Sequence, residues 1–356
     1  MPINRFSNIA VAILVSLLSV SLLLAGCQQK STLIESKDSI LAFGTFVEVT
    51  LVNLKPADHE RVIQEIEKEL QFYHYAFHPW KSGPTGRTNQ LLAATGEFTA
   101  NPSLIPLIKK SKKYSIQSKG LFNPAIGQLI KLWGYHDEMP PEEGPIPDDA
   151  DIQALLEKKP SLESITIKGV RLRNSNPANK LDFGGIAKGY ALDLILEHIQ
   201  QMGVKNANIN TGGDLKVIGQ RGDKPWRIGI RDPRGEGVIA SLEAFHNEAV
   251  FTSGDYERFY KVEGKRYHHI LDPRTGYPAR NAQSVTVIHT DAALADAAAT
   301  ALFVAGPDEW LAIAKSMHIQ QAMLIDRDGK IYITEAMAKR VKFEKPKLDV
   351  NIVTIP

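Results

Sequence analysis

A single cysteine, Cys27, occurs in 356 residues. That excludes an intrachain disulfide and any metal cluster built on thiolates. An excess of one charge is also missing. The 42 Lys and Arg stand against 40 Asp and Glu, a formal net charge of +2, so nothing electrostatic favours nucleic acid as a partner. There is no internal repeat and no low-complexity segment. The content is 43% apolar and 23% charged, which is ordinary for a globular protein and sufficient for one large domain or two smaller ones.

The cysteine sits at the end of a long apolar run. Arg5 precedes it, Ile9 to Ala25 is almost unbroken, and Leu24-Ala25-Gly26-Cys27 closes it. A charged start, an apolar middle and small residues at the exit describe an export signal. The four closing residues resemble the lipobox of bacterial lipoproteins. That resemblance implies cleavage before Cys27, a lipid on its thiol, and a chain held at a bacterial membrane facing the periplasm. Gln28 and Gln29 follow, with no Asp after the cysteine. The alternative is an uncleaved anchor, for which the run is just long enough at about 1.5 Å per residue. The division expected is 1–26 signal peptide, 27–39 tether, 40–340 catalytic domain and 341–356 a poorly ordered lysine-containing tail.

Ile40 to Leu54 alternates and reads as strand, broken at Gly44-Thr45-Phe46. Asp58 to Phe72 has helical periodicity. Phe77 to Asn89, rich in Pro and Gly, reads as a loop able to cover a ligand, and Trp80 within it either stacks on a flat ring or caps the core edge. Helices are expected at 103–117, 150–158, 187–202, 291–304 and 308–317. Strands are expected at 165–172, 207–215, 226–231, 238–244, 249–256, 284–288, 322–325 and 331–334. Strands and helices mix without strict alternation, so the fold class is α+β.

The stretch that organises the chain is Leu181-Asp182-Phe183-Gly184-Gly185-Ile186-Ala187-Lys188-Gly189. It is neither Gly-x-Gly-x-x-Gly nor a Walker loop. It does bring an acid, two glycines, a helix start and a lysine to one place. A helix N-terminus with free N–H groups beside Lys188 suits a phosphate or pyrophosphate, with Asp182 at the same mouth. The bland alternative is a packing corner. Further glycine corners at 212–213, 254 and 276 also follow expected strands, and four such corners suggest convergence on one ligand. Asp296 and Thr300 are four apart on one helix face and offer hard oxygens suited to Mg²⁺; a helix-start Asp with a buried Thr would look the same. His268 and His269 face opposite ways on an extended strand, so one could act as a base while the other serves as a surface group.

Taken together, the motifs resemble the ApbE-type FAD:protein FMN transferase family. The resemblance is carried by Phe43-Gly44-Thr45, Gly120-Leu121-Phe122-Asn123 through Trp133-Gly134, Asp182 to Gly189, Asn210-Thr211-Gly212-Gly213-Asp214, Thr252-Ser253-Gly254-Asp255-Tyr256, His269 to Gly276, and Ala295-Asp296 to Thr300. It spans roughly Ile40 to Thr334. It implies a two-lobed catalytic domain that takes FAD as substrate with Mg²⁺ and moves FMN onto a Thr or Ser hydroxyl of an acceptor flavoprotein, releasing AMP. By the family pattern the metal ligands are Asp296, Thr300 and a backbone carbonyl placed at Gly185. Asp182 and Lys188 would hold FAD. Phe43, Trp80, Leu121, Phe122, Asn123 and Leu271 would line the flavin and adenine sites. His269 is the expected base, with Asp255 a second candidate. The acceptor implied is a membrane redox subunit. Two departures stand out: Asn123 where many members carry Asp, and His-Pro-Trp at 78–80 where others place Tyr. With water as acceptor the same site would be an FAD pyrophosphatase; without chemistry, an FAD-binding lipoprotein.

Overall fold

The computed structural model describes residues 33–94, 96–137, 144 and 146–355. Cys27 and the apolar run before it lie outside the described residues. Among the described residues no helix is long and apolar enough to cross a membrane.

The main sheet has nine strands, and their order in the sheet follows their order in the chain. It starts with the hairpin Glu35–Ala42 and Thr45–Val52, passes through Ala207–Thr211, Asp214–Ile218, Ala249–Gly254 and Ala282–His289, and ends with Gln321–Asp326, Ile331–Thr334 and Val350–Val353. All neighbours are antiparallel except the last pair. One face packs on three helices: the first helix Pro56–Phe77, the central helix Ala187–Gln201 and the alanine-rich helix Ala292–Ser316. Each turns an apolar stripe inward; on the first helix it is Val62, Ile66 and Leu70. The other face is covered by a three-stranded sheet of Trp226–Arg231, Val238–Ala244 and Lys342–Phe343. A smaller aromatic cluster gathers Trp133, Tyr135, Tyr260 and Tyr267 beneath Leu271. The α+β expectation holds.

Several local expectations change. The strand expected from Ile40 is a hairpin already under way at Glu35, turning at Phe43-Gly44 with Ala42 opposite Thr45. The second half of the 77–89 loop is helix Pro84–Ala93, because Pro84 stands at its first turn, where a missing N–H is harmless. The break expected between helices 291–304 and 308–317 is present: the alanine-rich helix is interrupted at Gly306 (φ 67°) before Pro307. The tail is ordered. Lys342 and Phe343 pair with Ser241 and Ala240, Val350–Val353 adds a parallel edge strand, and Phe343, Leu348 and Val350 pack on the second core. Its lysines masked an alternating apolar pattern.

The central and alanine-rich helices lie backbone to backbone. A methyl group at Gly189 would meet the Ala292 carbonyl oxygen at 2.2 Å. The Gly189 N–H donates to Asp296 Oδ2 at 3.0 Å. One turn on, the Asp193 carboxylate accepts the N–H groups of Ala292 (3.0 Å) and Ala293 (3.1 Å) and the Lys216 ammonium (2.6 Å). The first turn of the alanine-rich helix is thus capped by a side chain from the central one. Gly189→Ala should destabilise the fold by about 2 kcal/mol through overpacking, seen as a lower urea midpoint, whereas alanine at a mid-helix glycine with open space around it would stabilise.

Candidate active site

A cavity of about 530 Å³ opens where the central helix begins. Its size falls within the usual range for small-molecule sites. Phe43, Trp80, Leu121, Phe122, Asn123, Asp182, Gly185, Lys188, His269, Leu271, Asp296 and Thr300 all line it. Segments far apart in sequence therefore meet, as the glycine corners suggested. Gly184, Gly185, Gly212, Gly213 and Gly254 line the cavity, but Gly276 does not. Its carbonyl accepts the Trp133 indole N–H at 2.7 Å, and its Cα packs toward Ile152. That corner shapes the aromatic cluster instead.

The corner at Asp182 is closed by its own side chain, which accepts the Gly184 N–H at 2.8 Å. Burial pushes the Asp182 carboxyl up from its ordinary value. The Phe183 carbonyl takes the N–H groups of Ile186 and Ala187, so the helix starts there without a side-chain cap. Lys188 is not a free ligand for an anion. Its ammonium is paired with Asp214, whose other oxygen accepts the Thr252 N–H at 2.9 Å. Burial works to lower the Lys188 pKa, but Asp214 and Asp296 outweigh it and hold the lysine charged. Burial drives Asp296 up to about 7, with Lys188 pulling the other way.

Asp296, Thr300 and the backbone of Gly185 sit together. A methyl group on Gly185 would come within 2.9 Å of Thr300 Oγ1, so only glycine lets that backbone approach the hydroxyl. Ser253 Oγ lies 3.3 Å from the same oxygen. Among the described residues no cluster of three His, Cys, Asp or Glu could hold a metal. The donor set here is a carboxylate, hydroxyls and a carbonyl, which fits a hard divalent cation.

His269 faces the cavity. Its Nδ1 lies 3.2 Å from the Arg258 carbonyl. A carbonyl only accepts, so Nδ1 carries the proton and Nε2 keeps the lone pair. Burial pushes this imidazole down to about 3, and it stays neutral. His268 is not a surface group, because the following loop buries it. Its Nε2–H donates to the Ala279 carbonyl at 2.5 Å, its Nδ1 accepts the Ile270 N–H, and burial pushes it down to about 4.

Asp255, the second candidate base, does not line the cavity. Arg234 (2.5 Å) and Arg266 (3.1 Å) hold its buried carboxylate, so it is a structural anion. Asn123 lines the cavity, but its amide donates to the Pro160 carbonyl (2.9 Å) and its oxygen accepts the Ala125 N–H (3.0 Å). A carboxylate could not make the first bond, which accounts for Asn at this position. Trp80 has the Lys180 ammonium 4.2 Å from its ring centroid, a cation–π contact. Sequence reasoning missed Asp214 as the partner of Lys188, together with Tyr135, Glu257 and Arg258 on the cavity wall. Asp214 was recoverable, since it follows the Gly212-Gly213 corner.

This is an α+β protein with a cavity lined by carboxylate, hydroxyl and backbone oxygens. The ApbE family profile matches residues 43–325, and the chain belongs to that family. It is 38% identical over 305 residues to an FAD:protein FMN transferase of Rhodobacter capsulatus, covering 86% of this chain but only 58% of that protein. It is 36% identical over 250 residues to an FAD:protein FMN transferase of Klebsiella pneumoniae, covering 68% and 75%. The crystal structure of the ApbE protein from Thermotoga maritima superposes with a TM-score of 0.78 at 31% identity, over 88% of this chain and all of that one.

His268 and His269, both held neutral in the fold, set a pH response. Unfolded, each binds a proton near 6.5; folded, His268 resists until about 4. In that window the unfolded chain holds more protons, so this contribution lowers stability as pH falls. Asp296, pushed up, works in the opposite sense. The difference between variants isolates the histidine: His268→Gln should gain stability relative to the wild-type chain as pH drops from 6.5 towards 4, read from urea midpoints at neutral and mildly acidic pH.

Proposed function

We propose that this chain is an FAD:protein FMN transferase. Its reaction would be attack by a Thr or Ser hydroxyl of an acceptor flavoprotein on the FMN phosphorus of FAD. One O–P bond forms, the P–O bond to AMP breaks, and AMP leaves. The observation that carries this reading is the grouping of Asp296, Thr300 and Gly185 beside Lys188 and the neutral His269 in one cavity. The relatives named FAD:protein FMN transferase support it.

Asp296, Thr300 and the Gly185 carbonyl would hold Mg²⁺. When bound, the ion neutralises charge on the pyrophosphate and on the departing AMP. The Asp182 corner and Lys188 keep the helix start in place against the pyrophosphate, with Asp214 fixing the lysine. Phe43, Leu121, Phe122 and Leu271 supply apolar walls for the flat rings. His269, with Nε2 unprotonated, takes the acceptor proton. A bound pyrophosphate would raise its basicity, because an adjacent anion favours the imidazolium. We further propose that Cys27 carries the lipid anchor and that the enzyme works at the periplasmic face of a membrane on a redox subunit there.

Incubation with FAD, Mg²⁺ and an acceptor domain, followed by in-gel flavin fluorescence after denaturation, tests the reading. A fluorescent acceptor band that EDTA abolishes is the expected result. Free FMN and AMP without a labelled acceptor would replace the transferase by a pyrophosphatase, and FAD recovered intact would leave only a binding protein. His269→Gln should lower the transfer rate by about 10²-fold or more while FAD still binds. Asp296→Ala should remove the Mg²⁺ dependence, and Mg²⁺-stimulated turnover unchanged in that variant would overturn the ligand assignment.

A further inference from the structure

We propose that the tip of the first hairpin, Leu41 to Phe46, is the docking platform for the acceptor polypeptide, taking an extended segment with apolar side chains beside its hydroxyl residue. The inference rests on the transferase reading. Among the described large apolar residues, Phe46 (67% exposed) and Leu41 (63%) are the most exposed. They are direct cross-strand partners, so both project from one face of the hairpin. The residues between them and beside them on the other face, Ile40, Ala42 and Val47, are buried.

The turn joining the pair is the cavity wall. Phe43, Gly44 and Thr45 all line the cavity, so the apolar platform begins where the cavity ends. Phe43 sits at φ 52°, a left-handed conformation that bulky residues avoid and that asparagine or glycine usually takes in such a turn. The strain is held by the neighbouring helix. The Phe43 N–H donates to His74 Nδ1 at 3.1 Å, the two rings meet edge to face at 5.8 Å, and Gln71 Nε2 donates to the Leu41 carbonyl at 2.9 Å. The tip is therefore a fixed surface, and backbone strain of this kind gathers at functional sites.

A protein acceptor must bring its hydroxyl to the cavity mouth, and this platform adjoins it. The strand carrying Leu41 is also an edge of the sheet; because Gln71 already takes the Leu41 carbonyl, the acceptor segment docks here through its apolar side chains. A lipid surface suits the patch less well. The next pair on the same face is Ser39 with Glu48, which brings negative charge, and Lys37 beyond it is paired with Glu35 at 3.5 Å; anionic headgroups call for basic neighbours.

The test uses the full chain with FAD, Mg²⁺ and a soluble acceptor domain that another FAD:protein FMN transferase modifies. For Leu41→Ser with Phe46→Ser, KM for the acceptor should rise about tenfold or more, as loss of an apolar anchor predicts, while FAD affinity and the rate at saturating acceptor stay unchanged. If the double variant does not fold, Phe46→Ser alone carries the test. An unchanged KM overturns the platform. In that case lost binding to phosphatidylglycerol vesicles would mark a lipid contact, and a lost dimer in light scattering would mark a second copy. A wild-type chain that labels no acceptor overturns the transferase reading itself, which separates the two failures.

Discussion

The contact between the central and alanine-rich helices is closer than side-chain packing allows, and the site is built on that closeness. At Gly189 the two backbones leave no room for a methyl group. The space is used for hydrogen bonds: Gly189 N–H to Asp296, and the Asp193 carboxylate to the free N–H groups of Ala292 and Ala293. These bonds fix the rotation and the height of one helix against the other. Asp296 and Thr300, one turn apart, consequently face the Gly185 backbone. Asp193 also takes the Lys216 ammonium from the sheet below, so the helix pair is registered to the strands as well.

The same seam sets the electrostatics. Lys188 is the cation facing the Asp214, Asp296 and Glu257 carboxylates on this part of the cavity wall. Buried ion pairs of this kind contribute little net stability, but removal of one partner strands the other charge. Asp214 spends its charge on Lys188, and Asp296 is left with one backbone N–H and a raised pKa. A carboxylate so placed favours an arriving cation. In the proposed reaction the anionic substrate would meet the helix start and the Asp296–Thr300 oxygens rather than a bare lysine, since Lys188 is already paired with Asp214.

Much of this was legible along the chain. Strand–glycine corners at 184–185, 212–213 and 254 pointed to a shared ligand, because glycines following apolar runs mark close backbone approach. The Asp296–Thr300 spacing pointed to one helix face. What misled had identifiable causes. Gly276 has the same local signature, yet its contacts are with Trp133 and Ile152. Asp255 lies in a stretch rich in site residues, but Arg234, from the loop after Trp226–Arg231, and Arg266, from the strand Lys265–His268, reach it. His268 alternates away from His269 as an extended strand requires, and the side it faces is interior.

The sequence by itself determined the α+β class, the membership suggested by the ordered motifs, and which short stretches carry polar groups beside glycine. Those follow from local periodicity and from residue chemistry, which a linear pattern preserves. Only the tertiary structure decided which of those groups share one cavity, that Lys188 is paired with Asp214, that His269 keeps its lone pair on Nε2, and that the lysine-containing tail closes the second core. Each of those depends on contacts between residues from about ten to more than a hundred positions apart, and sequence spacing carries no record of which partner satisfies a buried group.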